Sequence, residues 1–493
     1  MALGKVCSLR GVAVAAVLAG LARGLGPGQY QHGRPGQYQA WDPEAWDLEV
    51  EEPDDLCSLA HDKNSKYVGP VKASPGSEFV SIGVGHGSEL GVYRSTGRAS
   101  RQTRQAHIIV HGKNRNASKY WAGMNHGIEL AKRRGFPGSE AASLVLAPVF
   151  FSTVKNAGQF SRRQLAWCGT ELEAWQGGAE AVHPAGTRLT SFDALDRLLA
   201  HLADRATYPN LANVTLMGHS AGAQLVQRYA AVGRDPPAHL HVRYIHASES
   251  KYAYFTADRP LIDGQALPSK AACRAYDAWP YGYERLPHTH GAIDKRSARH
   301  YFRQYATRDV VSVVGYCDVK TQGDQTCRAR IQGGRSRRSR SLVWYRYVNA
   351  LARTASDLTG FPGRFEHLPD WSHLTNATVS LRIVIIRSLG HRSRPLLKSK
   401  ALRPALFGNG TFASPNWRPT DPETDRCETE GDEGKKKKKK KDKAGAKSEQ
   451  QSDSESGHDE DSDDDSDDDS DDDSDDDEPS DDDEDSDDDE DDE

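Results

Sequence analysis

Gly218-His219-Ser220-Ala221-Gly222 is a G-x-S-x-G pentapeptide in which one hydroxyl is flanked on both sides by residues lacking a Cβ two positions away. In a chain with 44 glycines such a match carries little weight alone. Its flanks give it weight. Asn213 to Ser220 (NVTLMGHS) reads as a buried strand, and AGAQLVQRYAAV from Ala221 reads as a helix with Leu225, Val226 and Tyr229 on one face. A serine on a sharp strand-to-helix turn is lifted above the sheet and set at a helix N-terminus, where backbone N–H groups favour developing negative charge. The plainer alternative is a glycine-rich turn capped by serine.

A serine hydroxyl attacks a carbonyl only when a base takes its proton and an acid orients that base. In this kind of turn the chain order is nucleophile, acid, histidine. RDVVSVVGY (Arg308 to Tyr316) reads as a strand leading to Cys317-Asp318, so Asp318 is the expected acid. Asp324 competes from the same loop, and Asp309 lies at the wrong end of the strand. His373, in HLPDWSHLTNATVSLRIVIIRSL, is the expected base, ahead of an apolar helix beginning near Asn376, with His367 as the alternative. An oxyanion site needs two N–H donors: one from Ala221, the other from Gly112 or Lys113, after the strand AHIIVHG (Ala106 to Gly112). Lys113 and Arg115 either meet substrate charge or form a surface turn.

These residues need a scaffold, and the middle of the chain alternates strand and helix patterns. Ala106–Gly112, Ala141–Phe151, Asn213–Ser220, His241–Ala247, Arg308–Tyr316 and Arg364–Leu368 read as strands. Lys119–Arg133 and Thr190–Arg205 read as helices, the second with Leu195, Leu198, Leu199 and Leu202 at amphipathic spacing. Uninterrupted apolar strands separated by helices predict an α/β fold, a mostly parallel sheet with helices on both faces. Pocket-forming aromatics such as Trp121, Phe150, Trp167 and Tyr252 are present, but sequence does not place them in space.

The stretches IIVHGKNRNASKYW, LAPVFF, NVTLMGHSAGAQLVQRYA, ASESKYAYF, VGYCD and IQGG, spanning about Ser88 to Leu389, resemble secreted α/β-hydrolases of the fungal and eukaryotic-microbial type with a GHSAG nucleophile elbow. The resemblance implies an α/β-hydrolase fold and a secreted, carboxylesterase-like serine hydrolase with a Ser220–Asp318–His373 triad, acting on a small-molecule or polymer ester without a cofactor or catalytic metal. In the family pattern the acid appears as Gly-x-x-Asp after a strand, met here at Gly315–Asp318, and the final histidine follows a glycine-rich turn. The arginines at 335, 337, 338 and 340 look particular to this lineage, and their charge suits an anionic substrate or the chain's own acidic end.

The ends differ in kind from this middle. Lys5 and Arg10 precede the apolar run Gly11–Ala22, with Gly20 and Ala22 forming a small-x-small exit, so residues 1–22 read as a signal peptide; a membrane anchor would need roughly 20 apolar residues. Residues 23–55 are a Gly/Pro/Gln-rich linker, 56–417 the hydrolase domain, and 418–450 a linker containing Lys435–Lys441. Residues 451–493 hold 30 acids and no Lys or Arg, a composition that predicts a solvated, disordered tail. The formal net charge of −7 thus conceals +23 over residues 1–450.

A tail of this kind is a solubilising segment, a weak binder of divalent cations, mineral or polycationic surfaces, or a site of serine phosphorylation. A second reading therefore makes the protein a hydrolase-fold binder whose tail binds Ca²⁺ or a surface, with catalysis lost or secondary. A third takes the lysine run as a nuclear address. No zinc spacing or nucleic-acid module accompanies the basic middle, and a mean hydropathy of −0.72 excludes a multispan membrane protein. Six cysteines remain after Cys7, and Cys317–Cys327 is the pairing suggested by proximity in sequence. Asn376 and Asn409 are candidate glycosylation sequons; Asn116 and Asn213 lie too close to the expected catalytic elements.

Overall fold

The structure is a computed structural model that describes residues 68–97, 100–168, 175–286, 296–321, 323–408, 418–419 and 427. The expectations for residues 1–22, 23–55, Asn409 and the acidic tail lie outside the described residues.

Eight strands form the main sheet: β1 (Ser77–Gly85), β2 (Ser88–Ser95), β3 (Gln105–Val110), β4 (Ser143–Val149), β5 (Asn213–His219), β6 (His241–Ala247), β7 (Asp309–Gly315) and β8 (Arg382–Ile386). Their order is β1-β2-β4-β3-β5-β6-β7-β8. β1 pairs antiparallel with β2 and β2 with β4, while every pairing from β4 through β3 to β8 is parallel. The connecting helices are α1 (Ala117–Arg133), α2 (Ser191–Leu202), α3 (Ala221–Val232), α4 (Ala298–Thr307), α5 (Arg337–Leu351), α6 (Ser393–Lys398) and α7 (Arg403–Phe407). This is the mostly parallel α/β sheet expected from the alternation of elements, and the α/β-hydrolase fold that the resemblance implies.

Both faces of the sheet are covered, and strand parity explains how. On β3, Ile108 and Val110 point into one core with Leu195 of α2, Tyr229 of α3, Phe302 of α4 and Trp344 of α5. Ile109 points into the other, with Met124 and Ile128 of α1, Leu397 of α6 and Leu406 of α7. A strand buried on both sides favours apolar residues on both faces, hence the runs Ile108–Val110 in β3 and Leu144–Val149 in β4. α2 is fixed at its start by a capping box in which Thr190 and Asp193 satisfy each other's backbone N–H groups.

Two expectations fail, and one pair of strands was not expected. Arg364–Leu368 is not a strand; Arg364 makes only an isolated antiparallel bridge to Leu261. The β1–β2 hairpin has no counterpart among the expected strands. The apolar segment expected to begin a helix near Asn376 instead contains β8, Arg382-Ile383-Val384-Ile385-Ile386. Four consecutive β-branched residues lose rotamer freedom in a helix and pack well on a pleated surface, and β7 offers a free parallel edge for pairing.

Candidate active site

The turn at Ser220 is bounded by contacts that only glycine tolerates. A Cβ on Gly218 would lie 2.2 Å from the Gly222 carbonyl oxygen, and one on Gly222 would lie 2.5 Å from the carbonyl oxygens of both His111 and Val110. Between them Ser220 sits at φ 57°, ψ −117°, a left-handed backbone that costs on the order of 1–3 kcal/mol for a residue with a side chain. The Ser220 N–H donates to the Ala247 carbonyl at 2.9 Å, tying the turn to the end of β6.

The histidine beside Ser220 is His391. Its Nε2 lies 3.0 Å from Ser220 Oγ, and its Nδ1 lies 2.8 Å from Asp318 Oδ2. Asp318 is deeply buried, which by itself raises its pKa, but the His391 hydrogen bond and the charges of His391 and Arg337 outweigh burial and hold it below the ordinary carboxylate value. An ionised carboxylate can only accept, so Nδ1 carries the proton and Nε2 is left to accept from the serine hydroxyl. Arg337 Nη1 donates to the other oxygen, Oδ1, at 3.2 Å. The acid is thus held from two sides, while the His391 side chain keeps 22 % of its surface exposed.

Backbone bonds set the distance between acid and base. Tyr316 N–H donates to the Ile386 carbonyl and Cys317 N–H to the Leu389 carbonyl, both at 2.9 Å, so the loops after β7 and β8 are joined just before Asp318 and His391. Gly315 permits this approach, since a Cβ there would lie 2.6 Å from the Gly390 carbonyl oxygen and 2.8 Å from that of Leu389.

His373 does not take part. It is exposed on a 3-10 turn (Ser372–Leu374), and the segment after it runs to Ser380, whose N–H donates to Ala306 just ahead of β7. Residues preceding a parallel strand lie at its N-terminal end, whereas Ser220 and Asp318 follow the carboxyl ends of theirs. His391 follows β8 and is preceded by Leu389-Gly390, so the signal that could have found it was the β-branched run of β8 followed by glycine. His367 is also exposed. Asp324, the competing acid, is buried in a different arrangement: it pairs with Lys251 Nζ at 3.0 Å and accepts from the Tyr281 hydroxyl at 2.7 Å.

On the other side of Ser220, a Cβ added to Gly112 would stand 3.6 Å from Ser220 Cβ, which puts the loop after β3 against that serine. His111 organises that loop. Its Nε2 accepts from Phe150 N–H at 3.1 Å, so its Nδ1 must donate to the Gly112 carbonyl at 2.8 Å. Burial, with the neighbouring Arg115 charge, pushes the His111 pKa down to about 3 and keeps the ring neutral. The Gly112 carbonyl also accepts from Arg115 N–H at 3.1 Å, which fixes the following peptide with its Lys113 N–H on the opposite side. Arg115 is buried and donates to the Phe150 carbonyl at 2.6 Å, and Lys113 is exposed. Trp121, Phe150, Trp167 and Tyr252 are all buried in the cores.

His219, the variable residue before the nucleophile, is 4.8 Å ring to ring from His391, and its Nδ1 lies 2.8 Å from the Tyr120 hydroxyl. Burial, reinforced by the positive charge nearby, Arg337 included, holds it well below the usual histidine pKa, so it stays neutral. Among the described residues, no group of His, Cys, Asp and Glu is arranged to hold a metal ion.

The expected Cys317–Cys327 disulfide is not formed. Cys317 bonds to Cys427 and Cys327 to Cys273, with Cα–Cα distances of 5.3 and 5.6 Å. Ten residues of separation in sequence do not imply nearness here: Cys317 leaves β7 beside Asp318, whereas Cys327 opens a four-residue helix (Cys327–Arg330) against the segment holding Cys273. Asn376 is exposed, with φ 55°.

The fold and the Asp318–His391–Ser220 chain together set a hydrogen-bonded serine beyond the carboxyl ends of the strands of a mostly parallel α/β sheet. No protein-family model matches the chain, and no curated protein matches it. Solved structures that it resembles include the LpqC poly(3-hydroxybutyrate) depolymerase of Bordetella parapertussis, at 16% identity and TM-score 0.42 over 71% of this chain and 94% of that one. Others are poly(aspartic acid) hydrolase-1 of Sphingomonas sp. KT-1, at 18% identity and TM-score 0.44 over 67% and 98%, and the siderophore hydrolase EstB of Aspergillus nidulans, at 12% identity and TM-score 0.35 over 69% and 98%.

Proposed function

We propose that the protein is a serine hydrolase that cleaves carboxylic esters through an acyl-enzyme, with Ser220 as nucleophile, His391 as proton carrier and Asp318 as the acid that orients it. The observation that carries this reading is the continuous Asp318–His391–Ser220 hydrogen-bond chain ending on a serine held in left-handed backbone geometry. Ser220 Oγ bonds to the substrate carbonyl carbon as its proton passes to His391 Nε2. The carbonyl electron pair moves onto oxygen, where the N–H of Ala221 and that of Gly112 or Lys113 stabilise it. On collapse the C–O bond to the alcohol breaks, and the alcohol leaves with the proton from His391. Water then repeats the sequence, releasing the acid and restoring Ser220. Esters are preferred over amides by analogy with the chemistries this fold most often hosts. The disulfides support an oxidising compartment such as the cell exterior.

A fluorophosphonate probe on the full-length protein tests the assignment. Wild type and His373→Ala label at Ser220, Ser220→Ala does not label, and His391→Ala labels slower by about three orders of magnitude or more. Unlabelled wild type, or loss of labelling in His373→Ala with retention in His391→Ala, overturns it.

A further inference from the structure

A cavity of about 520 Å³ lies between the β1–β2 turn, the loop 184–189 and the start of α2, and no member of the proposed triad lines it. Its walls carry five arginines, Arg162, Arg163, Arg188, Arg197 and Arg234, against a single carboxylate, Asp193. The walls are joined across their base by a buried 2.9 Å hydrogen bond between the Ser88 and Thr187 hydroxyls. The carboxylates in reach are fewer than the arginines: Arg163 pairs with Glu89, and Arg234 lies 3.5 Å from Asp196 and 3.9 Å from Asp193. Guanidinium groups present planar forks that match carboxylate and phosphate oxygens, and a concave surface of one sign concentrates counter-charge. The volume excludes a bulky folded partner and suits a few side chains of a short acidic segment.

We propose that this cavity is a polyanion-binding site and that its occupant is the chain's own Ser/Asp repeat segment, residues 462–493. Two facts on the chain single out that segment. Its charge is complementary, because residues 451–493 hold 30 acids and no Lys or Arg. It is also within reach: Cys427 is anchored to Cys317, and the 34 residues from 428 to 461 span roughly 110 Å when extended, against a radius of gyration of about 20 Å for a body of this length. A tether of this kind supplies the acidic segment at an effective concentration in the millimolar range, so even a weak salt-sensitive contact is populated. The inference is independent of catalysis at Ser220.

The test keeps the full chain throughout and uses a fluorescent Ser-Asp-Asp-Asp-Ser-Asp-Asp-Asp peptide as probe. In a variant with the aspartates of 462–493 changed to asparagine, the probe binds about tenfold or more tighter than in wild type, whose own segment competes. Adding Arg188→Gln and Arg197→Gln, both at exposed positions, removes that gain while leaving the melting temperature unchanged. Equal binding to wild type and the neutralised variant overturns the proposal, as does absence of binding to both. Binding that survives Arg188→Gln with Arg197→Gln also overturns it, by assigning the probe to another surface such as Lys435–Lys441.

Discussion

Among the described residues, two clusters bring a carboxylate, a histidine and a hydroxyl together, and they differ in access. In the first, Asp318, His391 and Ser220 are linked at 2.8 and 3.0 Å. In the second, Glu249 lies against His246 Nδ1 without forming a hydrogen bond to it, and His246 Nε2 lies 2.9 Å from the Tyr305 hydroxyl. The residue types come in the same order, but the carboxylate link and the surroundings are not the same. His246 and Glu249 have no exposed side-chain surface, against 22 % for His391. Tyr305 accepts a hydrogen bond from Trp344 Nε1 at 3.0 Å, and burial raises its pKa well above the phenol value, so it cannot ionise to attack anything. Ser220 instead occupies a glycine-bounded turn at the start of α3, with the Gly112 loop beside it. Access, a continuous hydrogen-bond chain and a hydroxyl held in a glycine-bounded turn separate the two.

The strongest test of that contrast is Asp318→Asn, which leaves the geometry in place but favours the wrong His391 tautomer. Ester hydrolysis should fall by about four orders of magnitude, read as kcat/KM, with little change in melting temperature. His246→Leu should do the opposite. It leaves Glu249 buried without its partner, so urea unfolding should show a loss of about 3–5 kcal/mol, while the labelling rate of the folded fraction stays at the wild-type value. A parallel fall in that rate would mean the sealed chain reaches the site.

Gly315→Ala probes the spacing between acid and base. Its Cβ meets the Gly390 carbonyl oxygen at 2.6 Å, so the loop carrying His391 must shift. A displacement near 1 Å predicts a drop of about 10²-fold in kcat with KM nearly unchanged.

The smallest effect concerns acid stability. Burial, with Lys132 as the smaller cause, lowers the His107 pKa from 6.5 to about 3, and neither of its ring nitrogens has a hydrogen-bond partner. Below pH 6.5 the unfolded imidazole takes a proton that the folded one refuses, so its stabilising contribution is complete above pH 6.5 and is lost as pH falls toward 3. His107→Leu should make the unfolding free energy less steep in that window by on the order of 1 kcal/mol per pH unit, without altering hydrolysis. An unchanged slope would show that His107 titrates the same way folded and unfolded.

Much of this architecture is legible locally. His241–Ala247 coincides with the expected strand, α3 begins at Ala221 as its sequence suggests, and Thr190 caps α2. Such features depend on patterns within a dozen residues, and glycine at 218 and 222 reports its own steric need. The histidine was less legible because Ile383–Ile386 is an apolar run too short to show a period, and reading it as helix moved the search to the wrong end of the last strand. The disulfides were illegible for a related reason, since spacing along the chain says little once strands 100 residues apart are neighbours.

The class of fold, the turn at Ser220 and the place of Asp318 just after its strand follow from local pattern and backbone sterics. Which histidine meets that serine, which cysteines pair, and that His246 and Glu249 are sealed in the core follow from the tertiary fold alone. These depend on which chain segments burial and strand pairing bring together, and no local run of residues encodes that alone.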